Sequence, residues 1–417
     1  MDKKSNIFKS VLTLMSGSVL SQSIPILISP LLTRLFDSSQ FGELAIFLSI
    51  LNICTSVANG KYSSSLLLPE KKQDINNLVF LNIFISFCFT VFLYVLIFLN
   101  KQFSVFELAI RDSFLYGLPL VVLMVSIQQI YLSLSNKFEK YKSIAISKTT
   151  QSLTSSTSNV SLGYLQFGSL ALVFSSSLAF LTSTFYLLRN SGFDFRLKEV
   201  SKSSVKRLAA KYKNFPLYTM PQSLLYQLVV QVPVFFIQDV YTVSILGYYA
   251  LSKRVLTVPS NIISASIGQV YYKQASDFFI NNKKEELFKT TRKAIASIFV
   301  ITTLVALSVY SFLPDMFSFF FGEDWRKAGV ISQYLLIYLI PAFTISPFTQ
   351  IYLVSNNNKY SFYIEISRFV MLFLLFVLGK TYSIELSQFF LYFSLIHTFC
   401  YVIMAIPILN KKSFIWN

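Results

Sequence analysis

The chain has 417 residues, 54% hydrophobic, 17% aromatic and only 13% charged, and its 36 Lys/Arg against 19 Asp/Glu give a formal net charge of +17. A soluble globular chain carries roughly 25% charged residues, so the composition excludes an ordinary water-soluble domain. Repeated apolar runs of about 20 residues, each long enough to cross bilayer hydrocarbon, specify an α-helical polytopic membrane protein instead.

Twelve spans are predicted, at 8–32, 42–59, 77–99, 114–135, 144–165, 168–188, 215–237, 243–265, 294–313, 328–354, 360–379 and 386–409. The start, MDKKSN before an apolar run from Ile7, is too long for a signal peptide and lacks a small-x-small cleavage site, so it reads as an uncleaved first helix. Hydropathy alone would pass over the fifth span, ISKTTQSLTSSTSNVSLGYL. Omitting it would reverse every later loop against the charge bias, so it is taken to cross, buried among other helices or beside a wet cavity. Its hydroxyls either face that cavity, with Gln151 and Asn159, or bond back to their own helix as a close-packing surface.

With the N-terminus inside, cytoplasmic segments hold 26 Lys/Arg and external loops six (Arg34, Lys101, Arg111, Arg326, Lys327, Lys380), a bias that places both termini in the cytoplasm. The densest basic run, Arg189 to Lys213, has eight Lys/Arg against Asp194 and Glu199. Alone it resembles a nucleic-acid patch; flanked by spans, it reads as a cytoplasmic linker (189–213) between an N-terminal lobe (1–188) and a C-terminal lobe (214–417), with no nucleic-acid partner. Leu197, Val200, Val205, Leu208 and Tyr212 fall near one helical face, which suggests a helix lying on anionic headgroups and tethering the lobes.

A weak internal repeat supports two halves of six spans. RLFDSSQFGELAIFL resembles QDVYTVSILGYYALSK, with Gly42 and Gly247 in register. Pro25 and Pro30 in the first span, and Pro221 and Pro233 in the seventh, are expected to break those helices, as in transporters with a site at the repeat interface.

Motifs for other chemistries are missing. No two glycines are separated by one residue, and Gly163 and Gly168 have phosphate-loop spacing but are followed by Ser169 where a Lys is needed. There is no HExxH, and Cys54, Cys88 and Cys400 lie singly in apolar runs without a CxxC pair, so neither disulfides nor a metal site is expected. The lone His397, in the last span, reads as a packed polar group. No cofactor is implied, and an enzyme such as a polysaccharide polymerase is disfavoured by the short external loops.

Four cations remain inside spans: Lys148, Lys253, Arg254 and Arg368. Each costs roughly 2.5–3.5 kcal/mol at mid-membrane on insertion scales. Lys148 is near enough to a span end to snorkel. Glu365 lies three residues before Arg368 on the same face, placing the pair within reach of each other. Lys253 and Arg254 have no such partner in sequence. A surplus of intramembrane cations favours an anionic, phosphate-bearing substrate, since guanidinium groups bind phosphate through paired hydrogen bonds.

Four stretches, in order, resemble a known family: SPLLTRLFDSSQFGELAIF, AAKYKNFPLYTMPQSLLYQLVVQVPVFFI, LGYYALSKRVLTVPSNIISASIGQVYYKQAS and FFFGEDWRKAGVISQYLLIYLIPAFTISPFTQIYLVSNNNK. The chain resembles the bacterial polysaccharide exporters, the Wzx-type O-antigen flippases of the multidrug/oligosaccharidyl-lipid/polysaccharide (MOP) transporter superfamily. The resemblance implies an all-α fold of about twelve transmembrane helices in two six-helix lobes around a central cavity, working by alternating access in the bacterial inner membrane. It implies an undecaprenyl-diphosphate-linked oligosaccharide as substrate, and a polymerase and chain-length regulator as pathway partners. By motif position Arg34, Arg254 and Arg368 match arginines of the family. Lys253 and Lys148 join them as candidate phosphate-site cations, and Tyr218, Tyr226, Tyr248, Tyr249, Gln151 and Asn159 are candidates to face the sugars. The tyrosines are equally explained as an interfacial belt or as packing. Glu365 is the candidate coupling acid, for a proton or a sodium ion. A cation-coupled drug exporter of the same fold is the rival, disfavoured by a first span without an acid; peptidoglycan-precursor flippases commonly have fourteen spans.

Overall fold

The structure, a computed structural model, describes residues 2–103 and 111–416, with side chains at 16–102, 111–357 and 359–416. The side chains of Lys3, Lys4 and Lys9, and residues 104–110 of the loop after the third span, lie outside that set. Sixteen α-helices are present and no strand occurs among the described residues: α1 Asp2–Leu35, α2 Ser38–Val57, α3 Tyr62–Ser65, α4 Lys72–Phe103, α5 Asp112–Lys137, α6 Tyr141–Tyr164, α7 Ser169–Asn190, α8 Lys202–Lys211, α9 Met220–Val240, α10 Val243–Ile280, α11 Lys284–Tyr310, α12 Leu313–Phe321, α13 Arg326–Ile345, α14 Ile351–Val354, α15 Asn358–Tyr382 and α16 Leu386–Leu409. The fold is that of an all-α polytopic membrane protein. Helices occupy all twelve predicted span positions. Ten of the helical segments are long and apolar enough to cross a membrane; α6, rich in hydroxyls, and α10, with its polar second half, are not among them.

Several boundaries differ from the predicted ones. α10 runs on to Ile280 and α11 already begins at Lys284, because the polar stretch between the apolar runs is itself helix-favouring, with no Gly or Pro from Gln269 to Arg292. Hydropathy marks where the hydrocarbon ends, not where the helix ends. Conversely, the predicted tenth span is divided: α13 ends at Ile345 and a 3₁₀ turn, Ser346–Gln350, leads into α14. Pro347, near the start of that turn, withholds the donor that would have continued α13. The expected proline breaks do not occur at Pro25, Pro30 or Pro233. α1 passes unbroken through Pro25 and Pro30, and α9 through Pro233, while Pro221 follows directly on a π-helical turn, Phe215–Thr219, that runs on into α9. In α1, Ser29 and Thr33 donate their hydroxyls to the carbonyls of Pro25 (2.6 Å) and Pro30 (3.1 Å), giving polar partners to backbone near the proline sites.

The repeat seen in sequence reappears as matched helix starts. Asp37 caps α2, accepting the Gln40 N–H at 2.9 Å while Gln40 Oε1 accepts the Asp37 N–H. Thr242 caps α10, its hydroxyl accepting the Ile245 N–H at 3.3 Å. Gly42 and Gly247 are each the fifth residue of the helix so capped, and both are buried.

The chain divides into two compact units, Met1–Gln231 and Val232–Asn417, the division falling within α9. In the first, α6 lies between α1 and α7, and α5 packs on α4 and α7. A Cβ on Gly17 would lie 2.4 Å from the Ala145 Cβ, so α1 and α6 approach as closely as a bare backbone allows. In the second unit α13 is central, packed against α10, α11 and α16, with α15 on α16. Its core joins Tyr271, Leu287, Phe348, Tyr352, Met404 and Trp416.

The basic stretch is not a helix lying free on headgroups. α8 packs on α4, and Leu208 (1% exposed) and Tyr212 are buried in the first unit's core with Leu66, Leu78 and Leu134. Arg207 pairs with Asp74 at 2.8 Å, and the Tyr62 hydroxyl donates to the Ala209 carbonyl at 3.0 Å. Asn76 and Asn77 hold the extended approach to α8, their Oδ1 atoms each accepting at 2.9 Å from the N–H of Arg196 and of Ser201. Of the five apolar residues expected on one helical face, only Val205 and Leu208 lie on α8; Leu197 is exposed in a 3₁₀ turn, Val200 is extended, and Tyr212 follows the helix end and is buried against protein.

Candidate functional site

The intramembrane cations of the second unit are carried by α10 and α15. Beyond the Thr242 cap, Tyr248 meets the buried Trp325 edge-on with ring centroids 5.7 Å apart, and Tyr249 stacks on Phe390 of α16 at 5.8 Å. Ser252 donates to the Tyr248 and Ala328 carbonyls at 2.7 and 2.6 Å, fixing α10 against the start of α13. One turn after Tyr249, the Lys253 ammonium lies 5.6 Å from its ring centre. The adjacent Arg254 is partly buried and makes no ion pair or hydrogen bond among the described residues. Pro259 follows within the same helix.

On α15, Arg368 is 6% exposed. Its Nη1 donates to both carboxylate oxygens of Glu365, at 3.0 and 3.1 Å, as the three-residue spacing allows. Its guanidinium stacks on Tyr401 of α16, 4.8 Å from the ring centre. Among the described residues its Nε and Nη2 find no oxygen or nitrogen acceptor, and the Cys400 thiol of α16 is the polar group that the guanidinium meets there. One edge of the guanidinium is therefore neutralised, while two further donors remain for an acceptor. His397, one turn before Tyr401, packs on Phe393 (4.3 Å) and Tyr338 (5.0 Å), with Nδ1 3.0 Å from the Phe393 carbonyl oxygen. Tyr249, which carries Lys253, also meets Phe393 of α16 edge-on at 6.2 Å, and Phe393, His397 and Tyr401 follow one another along α16, so a single row of rings leads from Lys253 on α10 to Arg368 on α15.

The remaining candidates belong to the first unit. Arg34 is exposed in the last turn of α1. Lys148, Gln151 and Asn159 all lie on α6. The exposed Lys148 reaches Ser18 Oγ at 3.4 Å; Gln151 Oε1 accepts from Gln128 at 2.9 Å, and Gln128 also donates to Ser183. Asn159 is buried, with Nδ2 3.4 Å from Ser155 Oγ and Oδ1 unpartnered. Of the two expected uses of the fifth-span hydroxyls, bonding back to their own helix is seen, and bonds to neighbouring helices stand beside it. Thr149 and Thr157 bond back to their own helix, whereas Ser152 donates to the Ser21 carbonyl of α1 at 2.6 Å and Thr154 accepts from Thr182 of α7 at 3.2 Å. Tyr218, in a π-turn before α9, is 72% exposed, and Tyr226 on α9 is 57% exposed.

Sequence reasoning passed over Tyr401, Tyr338 and Gln128. Nothing local ties Tyr401 to Arg368, since the contact is made across two helices. Gln128, followed by Gln129 inside an apolar span, was a visible polar signal.

A family model described as "Polysaccharide biosynthesis protein" matches residues 31–329. The chain belongs to this family. The matched polysaccharide biosynthesis region contains α2 through α12 and the cations of α10. Solved structures of low identity share the fold. The lipid II flippase MurJ, in an inward closed conformation, superposes with a TM-score of 0.72 at 12% identity, covering 97% of this chain and 88% of that one. An inward-facing multidrug resistance MATE family transporter of the MOP superfamily gives 0.68 at 13% identity, covering 96% of each. A MOP superfamily transporter from Pyrococcus furiosus gives 0.58 at 12%, covering 95% and 94%. No curated protein matches by sequence.

Proposed function

We propose that this family member is a flippase that carries undecaprenyl-diphosphate-linked oligosaccharide repeat units across the bacterial inner membrane by alternating access, for O-antigen or another surface polysaccharide. The observation that carries this reading is Arg368, buried in a membrane helix, ion-paired on one edge and with two N–H groups that no oxygen acceptor among the described residues takes up. A buried guanidinium with open donors fits an oxyanion that arrives and leaves. Family membership supplies the pathway, and the shared fold with a lipid II flippase supplies a precedent for moving a lipid-linked precursor.

In this reading Lys253, Arg254 and Arg368 take the diphosphate while the prenyl chain stays in the bilayer. Gln151, Asn159, Tyr218 and Tyr226 are assigned to the sugars, with Lys148 and Arg34 as outlying cations. Tyr248 and Tyr249 are assigned to holding α10 in place, as their ring contacts suggest. Glu365, already bound to Arg368, is the group through which a proton or sodium ion would couple: releasing the carboxylate would change the charge offered to the substrate. The termini are assigned to the cytoplasm on the loop charges, and the enzymes that polymerise the repeat and set chain length are the expected neighbours.

The test is complementation. In cells lacking the chain, Arg254→Ala and Arg368→Ala at normal expression should each cut surface polysaccharide at least tenfold. Full-length polysaccharide at wild-type amount with both replaced would overturn the cation assignment. The fold also serves multidrug transporters; drug resistance on expression, abolished by Glu365→Gln, would support that rival.

A further inference from the structure

A groove of about 600 Å³ lies within the second unit between α11, α13 and α16, and neither Lys253 nor Arg368 lines it. Its walls include Ala296 and Phe299 of α11, Pro341 of α13 and Ile406 of α16, and it ends at Arg292 and Asn410. The polarity is one-ended. From Arg292 to Phe299 the α11 wall runs seven residues, roughly 10 Å, from a cation to apolar side chains. Phe299 and Ile406 are strongly exposed. Arg292 is exposed and makes no ion pair among the described residues. Lys289 and Lys293 flank it; of the two acids in the first turn of α11, Glu285 is engaged by Lys411 at 2.8 Å and by Lys289 at 3.6 Å, and Glu286 makes no ion pair among the described residues. Arg292, Lys289 and Lys293 outnumber the one unpaired acid, Glu286, so the mouth is net cationic and opens onto an apolar trough of a size typical of small-ligand sites.

We infer that this groove is a binding site for an anionic diacyl phospholipid, one acyl chain along the trough and the headgroup phosphate on Arg292. Charge selects the occupant. A phosphodiester meets a guanidinium through paired hydrogen bonds, while the ammonium of a zwitterionic lipid would face Lys289 and Lys293. The site stands independently of the transport reading, since it uses none of the residues assigned to the substrate.

Native mass spectrometry of the purified full chain, with phosphatidylglycerol or phosphatidylethanolamine added at equal concentration, tests it. The wild type should retain one phosphatidylglycerol in preference to phosphatidylethanolamine. Arg292→Gln should lower that preference about fivefold with helicity and thermal midpoint unchanged, and Ala296→Trp, which fills the trough, should abolish retention of the lipid. Equal retention of the two lipids, an unchanged preference in Arg292→Gln, or retention of a polyprenyl phosphate in place of phosphatidylglycerol would overturn the assignment. Should Ala296→Trp fail to fold, a phosphatidylglycerol carrying a photoreactive acyl chain decides on the wild type: cross-links to α11 and α16 peptides support the site, and cross-links spread over other helices refute it.

Discussion

Arg368 and Glu365 share one face of α15 and pair there at 3.0 Å. Removing one partner of a buried pair typically costs about 3–5 kcal/mol, since the remaining charge is stranded, whereas replacing both with uncharged groups costs far less. Arg368→Ala should therefore lower the thermal midpoint in detergent more than Arg368→Ala with Glu365→Gln does; if the double variant is no more stable than the single, the pair is not what holds Glu365 in place. Arg368→Lys should restore the charge but not transport, because an ammonium cannot bind Glu365 and an oxyanion in the same planar geometry. The pair was visible in sequence from its three-residue spacing. The stacking of the guanidinium on Tyr401 was not, because it joins positions far apart in the chain, and the same holds for the Ser252 bond to α13.

At the scale of single helices, α6 shows how polar residues can be structural in a membrane. Its hydroxyls bond partly to themselves and partly to α1 and α7, and Gly17 lets α1 lie against Ala145. Gly17→Val would drive these backbones apart and should destabilise the first unit by about 1–3 kcal/mol, measured by thermal unfolding; an unchanged midpoint would mean the close approach is not formed. The position of this helix was legible only through loop charge, since its composition hides it from hydropathy. α8 is the opposite case. Its apolar stripe was plain, but sequence cannot say whether a stripe meets lipid or protein; Asp74, Asn76 and Asn77, more than a hundred residues earlier, decide it. Leu208→Ala should cost about 2–5 kcal/mol, while replacing the exposed Lys202, Lys206 and Lys211 with Gln should leave the midpoint within about 0.5 kcal/mol and instead reduce correctly inserted protein. Equal effects of the two changes on stability would return α8 to the membrane surface. The proline at 25 is tolerated for a related reason: the carbonyl it leaves without a helical donor, that of Ser21, accepts from Ser152 of α6 at 2.6 Å.

For the whole molecule, the order of twelve helices followed from apolar length and charge bias, and the internal repeat survives in the caps Asp37 and Thr242. Which intramembrane cations come together could not be read from order alone: Lys253 and Arg368 share a neighbourhood, Lys148 and Arg34 belong to the other unit. The central claim is that these cations let a lipid-linked diphosphate cross the bilayer. It is tested most directly by reconstituting the purified chain in vesicles holding a fluorescent undecaprenyl-diphosphate oligosaccharide and following the fraction accessible to a membrane-impermeant quencher. A flippase acting through this site makes nearly all of the probe accessible well before protein-free vesicles do, and Arg254→Ala and Arg368→Ala slow it at least tenfold. Accessibility in wild-type vesicles that stays at the single-leaflet fraction and rises only at the protein-free rate would contradict it.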